Sequence, residues 1–268
     1  MIRDITIGQY YPENSFIHEL DPRTKILFTI LYIFSLFVVK NLLGYVIVIG
    51  FMALIIKTSK VPLKFILKGL KTIFIILLLT VGFNIFLTPG ETEIFKYSFI
   101  TITLEGLYTA LFMGIRLVLL IIGSSLLTLT TSPIQLTDGI EYLLSPLKKI
   151  KVPAHEIAMM MTIALRFIPI LLEETDKIMK AQMARGADFE TGGIVKKAKS
   201  LIPILVPLFI SAFRRADDLA MAMEARCYRG DIDRTRMKEL AYTRKDQIAK
   251  LSFVIYLAIL IFLRWRFK

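Results

Sequence analysis

Few residues of this 268-residue chain have the types and spacing that catalysis requires. An enzyme acting on lipids would place paired acids on one helix face to hold a metal ion. The adjacent Asp217 and Asp218 come nearest, but no second acidic pair follows one helical turn later. Asp138-Gly139 likewise stands without further aspartates at a workable spacing. A solvated helix face of mixed charge explains these acids better.

Cysteine, histidine and glycine patterns also predict no catalytic site. Cys227 is the single cysteine, and His18 and His155 are the two histidines, so no set of ligands has the spacing of a zinc site. No glycine-rich loop leads into lysine followed by serine or threonine, which predicts that this chain does not itself bind ATP. We therefore expect a protein with no catalytic residues, no cofactor and no metal of its own.

The chain does contain a short internal repeat. Each copy has an aspartate, then alanines five and eight residues later, and an arginine nine residues later. The arginines of the two copies are 41 residues apart. The copies are Asp176, Ala181, Ala184 and Arg185, and Asp217, Ala222, Ala225 and Arg226. A repeat at matched positions is more informative than either copy alone.

The repeat suits helix ends that dock into another protein. Alanines three residues apart share a helix face and keep it slim, and arginine presents a fixed fork of donors that matches a carboxylate. The alternative is a simple cap, with Arg185 beside the helix dipole and Gly186 in the left-handed conformation. The second copy has Cys227 in place of this glycine, so we expect its helix to stop later, at Gly230, which the cap alternative explains less well.

The composition is that of a membrane protein. Hydrophobic residues make up 55% of the chain and its mean hydropathy is +0.63, above the level of soluble domains. The formal charge is +12, from 34 basic and 22 acidic residues, which fits cationic segments on the cytoplasmic side of a bilayer. No aromatic-basic surface of the nucleic-acid-binding kind is evident, so we expect the bilayer and not nucleic acid as a partner.

Five segments approach the roughly 20 apolar helical residues that a bilayer requires. They are residues 25–39, 42–56, 70–87, 106–131 and 248–263. Asp21 and Pro22 suit the cap and first position of the first helix. Lysines after the second segment and glutamates after the third place the N-terminus in the cytoplasm, although the basic tail then lies outside, against the usual rule. We predict an all-α polytopic membrane protein with about five transmembrane helices.

Residues 132–247 form a predicted cytoplasmic coupling domain between a membrane domain, residues 1–131, and a last helix, residues 248–268. Six basic residues separate its two apolar stretches, 157–172 and 201–213, which argues against a spanning hairpin. We expect two long helices, residues 154–185 and 194–226, with apolar parts at the inner edge of the membrane and charged ends in the cytoplasm. A shorter amphipathic helix over 134–147, ended by Pro146, would precede them.

Together these residues resemble the transmembrane (T) component of energy-coupling factor transporters, a branch of the ABC importers. The paired motifs Ala184-Arg185-Gly186 and Ala225-Arg226-Cys227 carry the resemblance, with the stretch from Tyr11 to Lys25 before the first span, which ends in Leu20-Asp21-Pro22-Arg23-Thr24-Lys25. It covers nearly the whole chain, and Cys227 departs from the glycine of the family's motif.

The resemblance implies a multi-pass subunit of a prokaryotic cell membrane that couples vitamin or micronutrient uptake to ATP. Two cytosolic ATPase subunits, which hold ATP and magnesium, would bind the helix ends at Ala184, Arg185, Gly186, Ala225, Arg226 and Cys227. A small integral-membrane substrate-binding (S) subunit would dock on the long helices.

Methionines are concentrated in the predicted coupling domain. Eight of the eleven lie between Met159 and Met237. Met159, Met160, Met161 and Met179 are candidates for docking the substrate-binding subunit, because methionine suits surfaces that accept several partners. Gap filling between packed helices is the equally weighted alternative.

A conventional ABC-type permease, whose own spans form the substrate pathway, is the alternative function. Such a pathway requires polar or ionisable residues along several spans. Arg116 in the fourth segment and Asn84 in the third are the main candidates, and two residues make a thin pathway.

The predicted orientation can be tested by labelling. Cysteines introduced at Lys180 and Lys197, with the natural Cys227 changed to serine, are expected to react with an impermeant maleimide only from the cytoplasmic side. Labelling from outside would mean that the apolar stretches 157–172 and 201–213 cross the bilayer, and the coupling interpretation would fail with them.

Overall fold

The computed structural model describes residues 10–39, 41–90, 92–97, 100–189, 193–230 and 239–266. This part of the chain forms eight α-helices: α1 Pro22–Val38, α2 Leu42–Ser59, α3 Leu63–Leu87, α4 Leu104–Thr130, α5 Pro133–Leu144, α6 Ala154–Ala184, α7 Ile194–Ala225 and α8 Arg244–Arg266. A 3-10 helix, Ser145–Ile150, follows α5. The prediction of an all-α polytopic fold is confirmed, with one small addition. An antiparallel hairpin of β1, Glu93–Tyr97, and β2, Ile100–Thr103, lies between α3 and α4.

The predicted helices are all present, but some ends differ. α3 begins at Leu63 and not at residue 70, because Lys64 and Lys68 belong to its first turns. Lysine favours helix, and its long side chain can extend toward water from an otherwise apolar segment. The prediction that the amphipathic helix ends at Pro146 is confirmed to within two residues. α5 already ends at Leu144, since the residue before a proline avoids the α conformation, and the chain continues as the 3-10 helix.

Among the described residues, four helices are long and apolar enough to cross a membrane: α2, α4, α6 and α8. A fifth is added if Leu63–Lys71 and Ile73–Leu87, which meet at a bend of 60°, form one span. α1 has 17 residues and rises roughly 26 Å, less than the about 30 Å hydrocarbon core. The number of five agrees with the prediction, but this set includes α6 and leaves α1 outside. The placement of α6 at the inner edge of the membrane stays a prediction.

The chain divides into two compact units. Among the described residues, the larger unit consists of residues within 10–140 and 240–266, and the smaller unit consists of residues within 141–239. In the larger unit, α8 packs against α1 and α2 through aromatic rings. The rings of Phe28 and Phe253 stack at 4.5 Å, and those of Phe51 and Tyr256 at 4.2 Å. The last helix is therefore part of the same core as the first two.

Gly123 lets α4 approach α1 closely in this core. A Cβ atom at this position would lie 2.4 Å from the ring of Tyr32. The Tyr32 hydroxyl in turn donates to the carbonyl of Leu119 on α4, at 3.2 Å. A larger residue than glycine would push the two helices apart.

A buried carboxylate joins the start of α8 to the start of α1. Asp246 is fully buried, and its side chain accepts hydrogen bonds from the backbone of Asp21 and from the backbone and hydroxyl of Thr243, each at 2.8 Å. Asp21 caps α1 as predicted, accepting from the backbone of Arg23 at 2.9 Å, and it pairs with the Arg23 guanidinium at 2.7 Å. Arg23 also donates to the carbonyl of Leu240, at 2.8 Å. We call Asp21, Arg23 and Asp246 the polar anchor.

The segment before α1 is tied to the end of α4. The backbone N–H of Tyr11 donates to the carbonyl of Leu129, at 2.9 Å, and Lys25 Nζ donates to the carbonyls of Thr130 and His18, both at 2.9 Å. His18 contacts the carbonyl of Tyr11 at 3.0 Å, and its burial lowers its pKa, so the ring is neutral at pH 7. The stretch that carries the family resemblance is therefore a structural joint of the larger unit.

Asp246→Ala is expected to lower the free energy of unfolding by about 2–3 kcal/mol, because it removes the acceptor of the buried Asp21 N–H and of the N–H and hydroxyl of Thr243. Thermal unfolding in detergent measures this as a lower midpoint. Asp246→Asn keeps an acceptor oxygen and should be milder. Asp218→Ala, on the exposed surface of α7, is the control. Equal midpoints for Asp246→Ala and the control would contradict the role of the polar anchor.

Candidate functional site

The two repeated arginines terminate the two long helices of the smaller unit. α6 ends at Ala184 with Arg185 as its C-cap, and α7 ends at Ala225 with Arg226 as its C-cap. The backbone angles agree closely: φ −89 and ψ 9 for Arg185, and φ −92 and ψ 11 for Arg226. We call Ala184-Arg185-Gly186 the first arginine end and Ala225-Arg226-Cys227 the second arginine end.

Both ends close with the same hydrogen bonds. At the first, Gly186 N–H donates to the carbonyl of Met183 and Ala187 N–H to that of Gln182, both at 3.0 Å. At the second, Cys227 N–H donates to the carbonyl of Glu224 at 2.8 Å, and Tyr228 N–H to that of Met223 at 3.0 Å. This pair of bonds is the Schellman motif, which requires a left-handed residue after the C-cap.

Cys227 adopts the left-handed conformation that glycine normally supplies. Its φ is 55°, against 87° for Gly186. The predicted stop at Gly230 was therefore wrong, because the carbonyls at the end of α7 are already satisfied by the residues after Arg226. Capping and docking are compatible readings of the repeat, since the cap is what turns the chain away and leaves the arginine at the tip.

Both arginine ends are exposed. The alanines of the repeat, Ala181, Ala184, Ala222 and Ala225, are exposed together with Arg185 and Arg226. Within the described part of the chain, neither guanidinium has a hydrogen-bond or ion-pair partner. Both side chains are thus available to an acidic group on another protein.

α6 and α7 pack side by side in opposite directions. Late in α6, Gln182 donates to the carbonyl of Pro203, early in α7, at 3.4 Å. Further along, Glu174 pairs with Arg215 at 3.4 Å. Early in α6, the sulfur of Met159 lies 3.0 Å from the hydroxyl of Tyr228, beyond the end of α7. The two arginine ends therefore lie at opposite ends of the pair. With 31 residues, α6 is roughly 46 Å long, so the two arginine ends lie far apart.

The predicted methionine candidates are not equivalent. Met160 and Met161 are 59% and 39% exposed. Met159 and Met179 are only partly exposed, and the sulfur of Met159 accepts a hydrogen bond from Tyr228. Packing explains Met159 better than docking does.

A larger apolar surface lies on α7, which the sequence reasoning did not assign to docking. Its residues recur at the spacing of one helix face, and each is at least 45% exposed. They are Leu201, Ile202, Leu205, Val206, Phe209, Ile210 and Phe213, which we call the α7 apolar face. Their periodicity was visible in the sequence, but nothing there showed that α6 leaves them uncovered.

The polar residues proposed for a permease pathway take part in packing. Arg116 Nε donates to the Tyr45 hydroxyl at 3.1 Å, and its Nη2 donates to the carbonyl of Val39 at 3.4 Å. Asn84 donates to the carbonyl of Thr80 on its own helix, at 2.8 Å. These groups join α1, α2 and α4 or stabilise α3, so they supply little to a polar pathway.

The larger unit contains an apolar cavity of about 310 Å³ between α1, α2, α4 and α8. Phe28, Phe51, Leu126 and Phe253 contribute to its wall. The polar groups along it already donate to backbone carbonyls: the hydroxyls of Thr29, Thr58, Thr130 and Ser252 within their own helices, the Tyr32 hydroxyl to Leu119 of α4, and Lys25 Nζ to His18 and Thr130. Such a wall does not suit a hydrophilic substrate.

The residues considered for lipid chemistry have structural explanations. A Cβ atom at Gly139 would lie 2.8 Å from Ile26 and 3.1 Å from Pro22, so this glycine lets α5 pack against α1. Asp217 and Asp218 lie on the exposed surface of α7. The described residues bring no three histidine, cysteine or acidic side chains together as a metal site, and the lipid-enzyme interpretation gains no support.

Comparison with known proteins gives a consistent family. The profile of the family described as Cobalt transport protein, CbiQ, matches residues 13–239. The relatives carry the name Energy-coupling factor transporter transmembrane protein EcfT. That of Clostridium kluyveri is 61% identical over 265 residues, 98% of each chain. That of Acidaminococcus fermentans is 57% identical over 265 residues, 99% of this chain and 98% of the relative. That of Ruminiclostridium cellulolyticum is 56% identical over 267 residues, 100% of both chains.

The two caps should respond in opposite ways to matched substitutions. Gly186→Ala strains the backbone at φ 87° although no atom lies within 4 Å of the added Cβ, and should destabilise the first arginine end by about 1 kcal/mol. Cys227→Gly relieves the same strain and should stabilise the second by about 0.5–1 kcal/mol. Hydrogen exchange at the amides of Ala187 and Tyr228 measures both changes. Faster exchange at Tyr228 in Cys227→Gly would contradict the prediction.

Proposed function

Because this chain belongs to the family of energy-coupling factor transporter transmembrane proteins, we propose that it couples two cytosolic ATPase subunits to a separate membrane subunit that binds the substrate. In this division of labour the chain is a non-catalytic subunit of a transporter, and its partners bind and hydrolyse ATP. One observation carries the proposal: two helix ends of the same geometry each present an exposed arginine with no partner in the described chain.

Two equivalent ends favour two similar partners. Each arginine can make a charge-assisted, bidentate hydrogen-bonded pair with a carboxylate, and the exposed alanines beside it let the helix tip enter a shallow groove. Since the arginine ends lie at opposite ends of the α6–α7 pair, one ATPase subunit would bind at each end. When the two ATPases close on ATP, both ends of the helix pair would be moved at once.

The helix pair would transmit that movement to the substrate-binding subunit. α6 and α7 have 31 and 32 residues and contact one another early, midway and late along their lengths, so a displacement of one end would be passed along the pair. The α7 apolar face, together with Met160 and Met161, is the surface that we assign to the small membrane subunit, since large exposed apolar patches mark interaction sites.

Substrate choice would then reside in that other subunit. The family is described by cobalt transport, while the names of the relatives specify no substrate. We propose a vitamin or another micronutrient as the class of cargo. The proposed setting is a prokaryotic cell membrane, with the N-terminus and both arginine ends in the cytoplasm where ATPases can reach them.

The proposal predicts that Arg185→Glu combined with Arg226→Glu abolishes ATPase co-purification and uptake while the protein remains inserted in the membrane. Each reversed charge would oppose a partner carboxylate, and breaking one side of a buried charged pair costs about 3–5 kcal/mol. The single variants should be milder than the double. Co-purification from mild detergent and uptake by cells measure the two effects.

The matched control is Lys180→Glu combined with Arg214→Glu. It makes the same change in net charge on exposed positions of the same two helices, about one turn before Ala184 on α6 and about three turns before Ala225 on α7. Normal ATPase retention in the double arginine variant, or equal loss in this control, would refute docking through the arginine ends.

A further inference from the structure

The two arginine ends share a cap but differ at the residue that follows it. The second residue after the C-cap is Ala187 at the first end and Tyr228 at the second, and these positions match in the repeat. The methyl side chain of Ala187 cannot make a hydrogen bond, whereas the Tyr228 hydroxyl contacts His155 and Met159. The sequence repeat therefore conceals a difference in how the two ends are held.

Tyr228 ends a chain of polar contacts that reaches two other elements. Glu141 of α5 contacts His155 Nδ1 at 3.0 Å, and His155 Nε2 contacts the Tyr228 hydroxyl at 3.2 Å. The same hydroxyl lies 3.0 Å from the sulfur of Met159, one turn further along α6. His155 is only 5% exposed.

This arrangement is satisfied in either protonation state of the imidazole. When the ring is neutral, Nδ1–H donates to the Glu141 carboxylate and Nε2 accepts the Tyr228 O–H. When the ring is charged, Nε2–H donates to the Tyr228 oxygen, which can then donate to the Met159 sulfur. The link between α5, α6 and the residue after α7 persists in both cases, and losing one member removes a contact of the buried imidazole.

We propose that Glu141, His155 and Tyr228 are positioning residues that hold Arg226 in a fixed direction and make the second arginine end the more rigid of the two. Tyr228 is two residues from Arg226, and its backbone N–H also closes the cap on which Arg226 sits. The role in partner binding rests on the proposed docking of an ATPase at this end. The structural role in fixing the end does not depend on that proposal.

Pre-ordering has a definite consequence for binding. An end that is already fixed loses less conformational freedom when a partner binds. The second arginine end would therefore keep a permanent hold on its ATPase, while the first end can adjust as the ATPase pair opens and closes. The two arginine ends, although alike in sequence, would then differ in function: the second would hold its ATPase in a fixed position, and the first would change position with its ATPase.

The first measurement uses the isolated chain in nanodiscs. Cys227 is the single cysteine and is exposed, so a spin label attached there reports the mobility of the second end directly. Tyr228→Phe and His155→Gln are expected to increase the mobility of this label. Glu141→Gln keeps an acceptor oxygen for His155 Nδ1 but loses the charge, and should increase the mobility less than these two variants do. Tyr108→Phe, at an exposed tyrosine of α4, is the matched control. A label at Met183→Cys with Cys227→Ser should report no change at the first end.

The second measurement is a double-mutant cycle on ATPase binding in the assembled complex. Tyr228→Phe alone is expected to weaken ATPase retention about tenfold. With Arg185→Glu its effect should add in full, because different ends are affected. With Arg226→Glu it should add little, because the same end is already disabled. Equal additivity with both arginine variants would overturn the positioning of Arg226.

The two measurements separate this proposal from the proposed function. If neither arginine variant affects ATPase retention but the Cys227 label still gains mobility, docking is wrong and the positioning contact stands. If the label mobility is unchanged in Tyr228→Phe and His155→Gln, or rises equally at both ends, the positioning proposal is wrong whatever the ATPases do. The thermal unfolding midpoint shows whether a variant has lost its fold as a whole; Tyr228→Phe removes a single oxygen and is the variant on which the decision rests.

Discussion

The structure depends on how each helix end satisfies its backbone groups. A helix leaves four carbonyls unpaired at its C-terminus and four N–H groups at its N-terminus, and each needs a side chain, another backbone group or water as its partner. At the start of α1 the Asp21 side chain supplies an acceptor, and Asp246 supplies another for the backbone of Asp21 itself. At the ends of α6 and α7 the chain folds back on itself to supply donors. These closures determine where the helices stop, and the stopping points determine which side chains are presented.

The C-caps of α6 and α7 also relate the fold to the proposed function. The side chain of a C-cap residue lies at the tip of its helix. A Schellman motif whose C-cap is arginine therefore places a cation at the end of the helix. Because α6 and α7 run in opposite directions, identical caps put the two cations far apart. A pair of partners can thus act on both ends of one rigid element, which a parallel pair with both arginines together would not allow. The polar anchor meanwhile keeps α8 and α1 in one core, so the larger unit is closed by contacts that do not involve the arginine ends.

Local features of this fold could be predicted from the sequence, and pairings could not. The cap at Asp21, the extent of α6 and α7, and the placement of both arginines at helix ends follow from residue types that act within one or two turns. The stop at Cys227 escaped prediction because glycine is the usual left-handed residue, and a cysteine there is tolerated only when the surrounding hydrogen bonds hold it. How α6 packs against α7 is not encoded in any local pattern. This packing brings His155 to Tyr228 and places the two arginine ends at opposite ends of the helix pair. The hairpin between α3 and α4 and the cavity of the larger unit belong to the same class of feature.

The two copies of the internal repeat are not interchangeable, because the residues around the two arginine ends differ. The Schellman cap needs only backbone donors and one left-handed residue, so glycine and cysteine serve it equally in geometry although not in strain. The side chains after the C-cap are free to differ between the two ends, because only the backbone of these residues takes part in the cap. At the second end, the hydroxyl of Tyr228 contacts the buried ring of His155. At the first end Ala187 supplies no such bond. In the proposed function, an ATPase pair that opens and closes would require one fixed and one adjustable point of contact, and two arginines on unequally supported ends would provide both.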